Sequence, residues 1–354
     1  MAHAIARVGN LPENDLRHVL ERGSPVWSDF RAARVLVTGA SGFVGSWLLE
    51  TLLHANDALD LRLEATALVR DGETFARLFP HLARAVRVCE ADVCAADLVP
   101  GDFTHYVHCA SAASPRENRE RPLRVIELIE HGTARMLECA ERGRDVRFLQ
   151  VSSGSVYGLQ PSTVERLEES YEGSADAENP AQWFGAAKRR AELRGEAAAA
   201  RGVGFVAARM FGLVGPRLPL DGQFALGNFL GDALAGRPVH ISGDGTPVRS
   251  WMHAADMAAW AWILLARGRA GGAYNVGSEH AISIREAAER VAALCVPPLP
   301  VVREREPASA VTPSRYVPST RRAREELGLE TWISFDHAVR RTWDWWQPAR
   351  NETT

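Results

Sequence analysis

Gly39, Gly42 and Gly45 stand three residues apart between two segments of opposite character. Before them, Arg34 to Thr38 is a short branched apolar run that predicts a buried strand. After them, Trp47 to Ala55 carries apolar residues at helical spacing. In a strand–loop–helix context, that spacing points to recognition of a dinucleotide. Gly39 permits the tight turn, Gly42 lets the backbone approach a pyrophosphate, and Gly45 lets the helix pack on the strand. Ser41, Phe43 and Val44 complete the loop. The helix start offers N–H groups and a partial positive charge to phosphates. At the end of the next predicted strand, Glu64 to Val69, come Arg70 and Asp71. A carboxylate there would bond the 2′-hydroxyl of an adenosine ribose, as in NAD, and an arginine would pair with the 2′-phosphate of NADP. The two residues leave both cofactors open.

The elements that must hold this loop alternate along the chain. Further strands are predicted at Val86 to Val88, Tyr106 to Cys109 and Arg147 to Ser152, with helical periodicity between them, as from Leu123 to Glu141. Alternation of strands with helices means right-handed crossovers and an α/β fold with a parallel, doubly wound (Rossmann) sheet. Lys188 to Ala200, rich in alanine, glutamate and arginine, is strongly helical. After Met210, glycine and proline become frequent, which predicts a smaller, loop-rich C-terminal α/β lobe with helices at Met257 to Ala266 and Ile284 to Leu294. The expected organisation is an N-terminal extension over 1–32, the dinucleotide-binding domain over 33–210, an interleaved substrate lobe over 211–345 and a tail over 346–354. Asn14 and Asp15 before Leu16, Val19 and Leu20 predict a short capped helix, ended by Pro25 and lying outside the main fold.

Composition narrows the classes. The chain has 354 residues, 46% of them hydrophobic and 24% charged, which excludes a disordered or collagenous protein. The 41 basic and 44 acidic residues give a net charge of -3, without the basic excess of a nucleic-acid or anionic-membrane surface. Five cysteines, with no C-x-x-C pair and no zinc-like histidine spacing, read as free thiols, and no metal site is expected. Met1 to Phe30 lacks a signal-peptide core, and Met257 to Ala266 is too short to cross a bilayer. A soluble cytoplasmic protein is expected, with neither nucleic acid nor membrane as partner.

Several segments together resemble the extended short-chain dehydrogenases/reductases, and within them the nucleotide-sugar epimerase/dehydratase branch. They are the glycine loop, Asp92-Val93, His108-Cys109-Ala110-Ser111, Val151 through Gly158, Lys188, Arg209-Met210-Phe211, Gly227-Asn228-Phe229, Gly243 through Trp251, Asp256 and Tyr274 through Gly277. The likeness spans roughly residues 33–345. It implies that Asp92 and Val93 flank the adenine, that Cys109, Ala110 and Ser111 line the cofactor's ribose and phosphates, and that Phe211 lies near the cofactor. Ser153 would hydrogen-bond the substrate's reacting oxygen, with Ser155 beside it in the substrate pocket. Lys188 would bond the nicotinamide ribose and lower the pKa of the acid/base group. Asn228, Phe229, the segment Val239-His240-Ile241 and Arg249 would hold the diphosphate of a nucleotide-diphosphate sugar, for which a guanidinium is suited. By analogy with that branch, the chain would form a homodimer.

The chain departs from the branch at the chemistry itself. The family's catalytic tyrosine precedes the lysine by four residues, and here that place holds Phe184. Positions 184 and 188 share a helix face, but phenylalanine cannot move a proton, and carbinol oxidation needs a proton transfer matched to the hydride. The Asp-Glu pair of 4,6-dehydratases is replaced by Gly154-Ser155, which argues against a standard dehydratase. Glu130-His131 precede Gly132-Thr133 without the family's asparagine, and Gly212 replaces another. Candidates for the missing proton group are His131, Glu130, Tyr157, Cys109, Ser153 through a water, and Lys188. His131 has a suitable unperturbed pKa of about 6.5, although its place also fits a plain helix-surface residue. The expected function is NAD(P)-dependent reworking of a nucleotide-activated sugar by oxidation at C4, followed by epimerisation, reduction or an atypical elimination. The alternatives are a non-catalytic cofactor-binding or scaffolding homologue, and an oxidoreductase on a non-nucleotide substrate.

Overall fold

The computed structural model describes residues 8–95, 101–111, 120–222, 224–306 and 313–347. The branched run Arg34–Thr38 is β1, and it lies inside a parallel sheet. Its companions are β2 (Glu64–Val69), β3 (Arg87–Glu90), β4 (His105–His108), β5 (Arg147–Ser153) and β6 (Gly204–Met210). The later segments add β7 (Gly212–Val214), β8 (Val239–Ile241), β9 (Val248–Arg249), β10 (Trp251–His253), β11 (Gly272–Val276), β12 (Ile282–Ser283), β13 (Val301–Arg303) and β14 (Arg315–Tyr316). Among the described residues the main sheet has seven strands in the order β11-β6-β5-β4-β1-β2-β3, all paired in parallel. Strand order reverses between β1 and β4, the place where sheets of this kind bind ligands at the carboxyl ends of their strands. The predicted doubly wound architecture is thus present, with Thr38 and His108 facing each other across the switch point.

Helices cover both faces. They are α1 (Glu13–Arg22), α2 (Phe43–Leu59), α3 (Gly72–Leu78), α4 (Pro80–Ala85), α5 (Pro122–Glu141) and α6 (Trp183–Ala199), then α7 (Ala225–Leu234), α8 (Ala254–Arg267), α9 (Ile284–Ala292), α10 (Arg321–Leu327) and α11 (Phe335–Trp346). α5 and α6 pack together over one face, where Phe148, Phe205, Ala187 and Ala191 are buried. α2 and α8 cover the other.

Two expectations need correction. The stretch Met257 to Ala266 does form a helix, α8, but it packs mainly against α1, α2 and β5, with smaller contacts to β6 and to β7 and β10 of the later segment. It is buried from Ala254 through Leu265, and a helix apolar on all sides must be enclosed on all sides. The N-terminal helix supplies part of that enclosure. α1 is not outside the main fold: it packs on α8 and α2, and Val19, Trp27 and Phe30 join the main core. Its start at Pro12 carries no side-chain cap, and Gly23, ahead of Pro25, ends it. The chain before residue 8 and the expected tail beyond Gln347 lie outside the described residues.

Beyond Met210 the chain interleaves with what precedes it. β11 joins the main sheet beside β6, β7 pairs β10 and β8 pairs β13. A small sheet sets β9 between β12 and β14, with Arg249 opposite Tyr316.

Candidate functional site

The glycine loop has the geometry its spacing predicts. Gly39 has φ +66°, and a Cβ there would lie 2.8 Å from the Ala110 nitrogen. A Cβ on Gly45 would lie 2.2 Å from the Gly39 oxygen, so the helix can start this close to the strand only as glycine. At Gly42 the nearest such atom is 3.3 Å away, which leaves the loop's outer side open. Gly42 is the first flanking residue of α2, no side chain caps that helix, and its first turn holds no acidic residue. These residues fit the pyrophosphate of a dinucleotide.

A clamp across the switch point holds the loop. The Ala110 N–H donates to Thr38 Oγ1 at 3.1 Å, and the same hydroxyl lies 2.8 Å from His108 Nδ1. Burial, with Lys188 nearby, drives His108 down to about 3, so the ring is neutral. In the sequence this histidine lies in a family-like segment but has no assigned role, since nothing local distinguishes it from a core residue. Cys109 follows it. Burial pushes its thiol up to about 12 against the pull of Lys188, so it is not a proton carrier near neutrality.

On the adenosine side, Arg70 is exposed after β2. Asp71 caps α3, its carboxylate accepting the Thr74 N–H and hydroxyl, each at 2.7 Å. Asp92 accepts the Cys94 N–H at 2.9 Å, and Val93 is buried against Gly132, where a Cβ would come to 2.8 Å. The family's missing asparagine near Gly132 therefore adjoins the wall formed by Val93. Ser111, with Ala110, continues from the end of β4.

Ser153 ends β5 and caps a single turn, accepting the Ser155 N–H at 3.2 Å and the Ser155 hydroxyl at 2.9 Å. Lys188, on α6, is buried and donates to the Val151 carbonyl at 2.8 Å, two residues earlier on the same strand. Burial lowers it to about 8, opposed by Cys109 and Glu192. The Phe184 ring lies 5.8 Å from the Lys188 ammonium, as the four-residue spacing requires. The other candidate proton groups are placed elsewhere or occupied. His131 is exposed on α5, and Glu130 pairs with Arg190 at 2.6 Å. The Tyr157 hydroxyl donates to Asn275 at 2.7 Å and accepts from Arg209 at 2.8 Å, within a buried chain that continues through Glu192 to Ser152.

The opposite wall comes from the later segments. Phe229, Val239 and Ile241 are buried in the core, while the Asn228 amide donates to and accepts from the Gly222 backbone, both at 3.1 Å. Asn228 thus fastens its own loop. Arg249 donates to the Val248 carbonyl at 2.8 Å and to the Ser314 carbonyl at 3.2 Å. Phe211 packs against Tyr316 with ring centres 4.6 Å apart and the rings tilted by 32°, and the phenol of Tyr316 reaches Gly154, next to Ser153. Tyr316 had no place in the sequence reading, because β14 is too short to show a periodicity. Among the described residues, no cluster of histidine, cysteine or acidic side chains could hold a metal ion, and no helix is long and apolar enough to cross a membrane.

A parallel sheet reversing between β1 and β4, with a glycine loop at the reversal, defines a doubly wound dinucleotide-binding protein. Residues 35–277 match the NAD dependent epimerase/dehydratase family, and the chain belongs to it. It is 28% identical over 318 residues to UDP-glucuronic acid decarboxylase 1 of Arabidopsis thaliana, covering 90% of this chain and 70% of that one. It is 27% identical over 329 residues to a dTDP-glucose 4,6-dehydratase of Streptomyces niveus, covering 90% and 94%. Among solved structures, the UDP-glucose 4-epimerase of Thermus thermophilus in complex with NAD superposes with a TM-score of 0.72 at 25% identity, covering 89% and 99%. The resemblance to the nucleotide-sugar branch of the extended short-chain dehydrogenases/reductases therefore holds, and the family is NAD dependent.

Proposed function

We propose that this chain uses NAD or NADP to oxidise C4 of a nucleotide-activated sugar and then reworks the ketone by epimerisation, reduction or an atypical elimination. The observation that supports this is the nearness of three parts: the glycine loop, Ser153 at the end of β5 with Lys188 bonded to that strand from α6, and Tyr316, which reaches Gly154 beside Ser153 and is paired with Arg249 in the small sheet. A bound nicotinamide would supply hydride chemistry. Ser153 offers a hydroxyl to the reacting oxygen. Lys188 holds a positive charge in a buried place, where it favours a neighbouring anion. Arg249 keeps donor capacity beyond its bonds to Val248 and Ser314, suited to a diphosphate. Phe184 takes the position of the family's tyrosine. The active site is therefore non-standard, with Gly154-Ser155 also lacking the acid pair of a 4,6-dehydratase.

A second reading follows from Phe184 alone: a cofactor-binding homologue without turnover. One experiment separates the two. The purified protein is incubated in heavy water with GDP-, UDP-, CDP- and dTDP-sugars, and products are separated and weighed. A shifted mass, a new retention time or deuterium uptake is expected for one sugar nucleotide, and recovery of every sugar unchanged would favour the second reading. Cofactor released on denaturation distinguishes NAD from NADP. The native mass reads the homodimer that we also propose.

A further inference from the structure

We propose that Tyr316 is the acid/base group that replaces the tyrosine absent at position 184, delivered from the small sheet instead of from α6. This rests on the functional reading above. The chain has five tyrosines. Tyr157 is committed to Asn275 and Arg209, Tyr274 donates to Glu326 at 2.5 Å, and Tyr106 packs among Phe103 and Phe148 in the core beneath α5 and α6. Tyr171 packs beside Tyr157. Tyr316 alone stands at Ser153.

Three features fix it there. Its backbone is paired with Arg249 across β9 and β14. Its ring lies on Phe211 at 4.6 Å. Its hydroxyl occupies the space that a side chain at position 154 would need, since a Cβ on Gly154 would come to 2.6 Å from Tyr316 Oη and 2.5 Å from Phe211 Cζ. Gly154 therefore does more than lack a carboxylate. It leaves the opening through which the phenol reaches the strand end that carries Ser153. Burial, with Tyr157 adding a little, raises the phenol, while the Ser153 hydroxyl and the Arg249 charge both favour its ionised form. A substrate hydroxyl held by Ser153 would meet the phenol in the same place.

The step balances without another reagent. Oxidation of the sugar carbinol breaks one C–H and one O–H bond and forms a C=O bond. The hydride would leave with its electron pair to a bound oxidised nicotinamide dinucleotide, and the carbinol proton would go to the Tyr316 phenolate, formed beforehand by loss of the phenol's own proton to solvent. Reduction of the ketone returns both. Because burial opposes ionisation, acceptance of the proton is the harder direction, and oxidation should quicken as pH rises.

The test compares full-length wild type, Tyr316→Phe and the double variant Tyr316→Phe/Phe184→Tyr, each loaded with NAD and given the sugar nucleotide found active above. Nicotinamide reduction is followed by absorbance in a single turnover, and sugar-nucleotide affinity by calorimetry. Retention of cofactor reports folding. Tyr316→Phe should bind the sugar nucleotide within about threefold of wild type yet reduce NAD at least ~100-fold more slowly, with its pH rise gone. The double variant should regain part of the rate. Reduction by Tyr316→Phe within about threefold of the wild-type rate, or a loss confined to affinity, would overturn the assignment while leaving the enzyme reading intact. Should Tyr316→Phe lose its cofactor, the wild-type pH profile decides, a rate flat from neutral to alkaline pH counting against Tyr316. A wild type that holds cofactor and transforms no sugar nucleotide overturns the enzyme reading, and this role with it.

Discussion

Lys188 carries its charge where burial opposes it, which makes the stability of this chain depend on pH in a defined direction. Its pKa falls from 10.5 in the exposed state to about 8 in the fold. Between those values the unfolded chain binds the proton and the folded chain does not, so stability rises with pH through that window. Below about pH 8 the proton is bound in both states and the full cost of the buried cation is present. At ~1.4 kcal/mol per pH unit, that cost is roughly 3 kcal/mol. Denaturant titrations of wild type and Lys188→Met from pH 7 to 11 should show the wild type gaining on the variant as pH increases. A change of the opposite sign would mean that Lys188 is held by an anion rather than strained by burial. At this scale, the parts legible in the sequence are those whose geometry is local. The three glycines and the Phe184–Lys188 spacing each concern one loop or one helix. Tyr316 meets Ser153 only through the pairing of two two-residue strands, and His108 is kept neutral by burial and by Lys188 from α6 while the Thr38 hydroxyl of another strand holds its ring. Neither leaves a pattern in a single stretch of residues.

The elements were legible in kind and less so in place. The strands from β1 to β5 stand close to where branched runs predict them, since a strand inside a covered sheet must be largely apolar, whereas β6 (Gly204–Met210) was not among the predicted strands. The same all-round apolar character marks α8 as a helix, but says nothing of which layer encloses it. The answer involves α1 and the short turn after it. Trp27 lies 6.2 Å from Trp262 on α8, and Phe30 meets the same indole edge-on at 5.6 Å. His18 contacts Asp256 at 2.8 Å, and Arg341 donates to Asp15 at 2.7 Å, tying α1 to α8 and α11. If α1 is part of the core, Trp27→Ala should cost about 3–5 kcal/mol of stability, as large-to-small core changes do. Leu123 is 66% exposed, and Leu123→Ala should stay within about 0.5 kcal/mol. Urea unfolding measures both. A cost below about 1 kcal/mol for Trp27→Ala would return α1 to the periphery where its polar sequence first placed it.

Across the whole molecule, the two halves of the candidate site stand on separate supports. The glycine loop, His108 and Lys188 stand at the carboxyl edge of the main sheet, whereas Arg249 and Tyr316 belong to the small sheet of β9, β12 and β14. The two supports join where the Tyr316 phenol reaches Gly154 and Phe211. Such a division predicts that one ligand can be lost without the other. In Arg249→Gln the planar donors shrink and the charge goes, but the glycine loop, α2 and the Thr38 clamp are untouched. NAD affinity should therefore remain near wild type. A sugar-nucleotide diphosphate would lose charge-assisted bonds worth about 1.5–3 kcal/mol, a weakening of roughly 10- to 150-fold. Titrating NAD and then the sugar nucleotide in a calorimeter reads the two separately. Loss of both together would show that β9 supports the cofactor pocket as well, because Arg249 also fastens the Ser314 segment ahead of β14. Unchanged affinity for both would mean that the diphosphate is gripped elsewhere, or that the substrate carries none. In that event Ser153 and Tyr316 would have to be read for a substrate without a nucleotide.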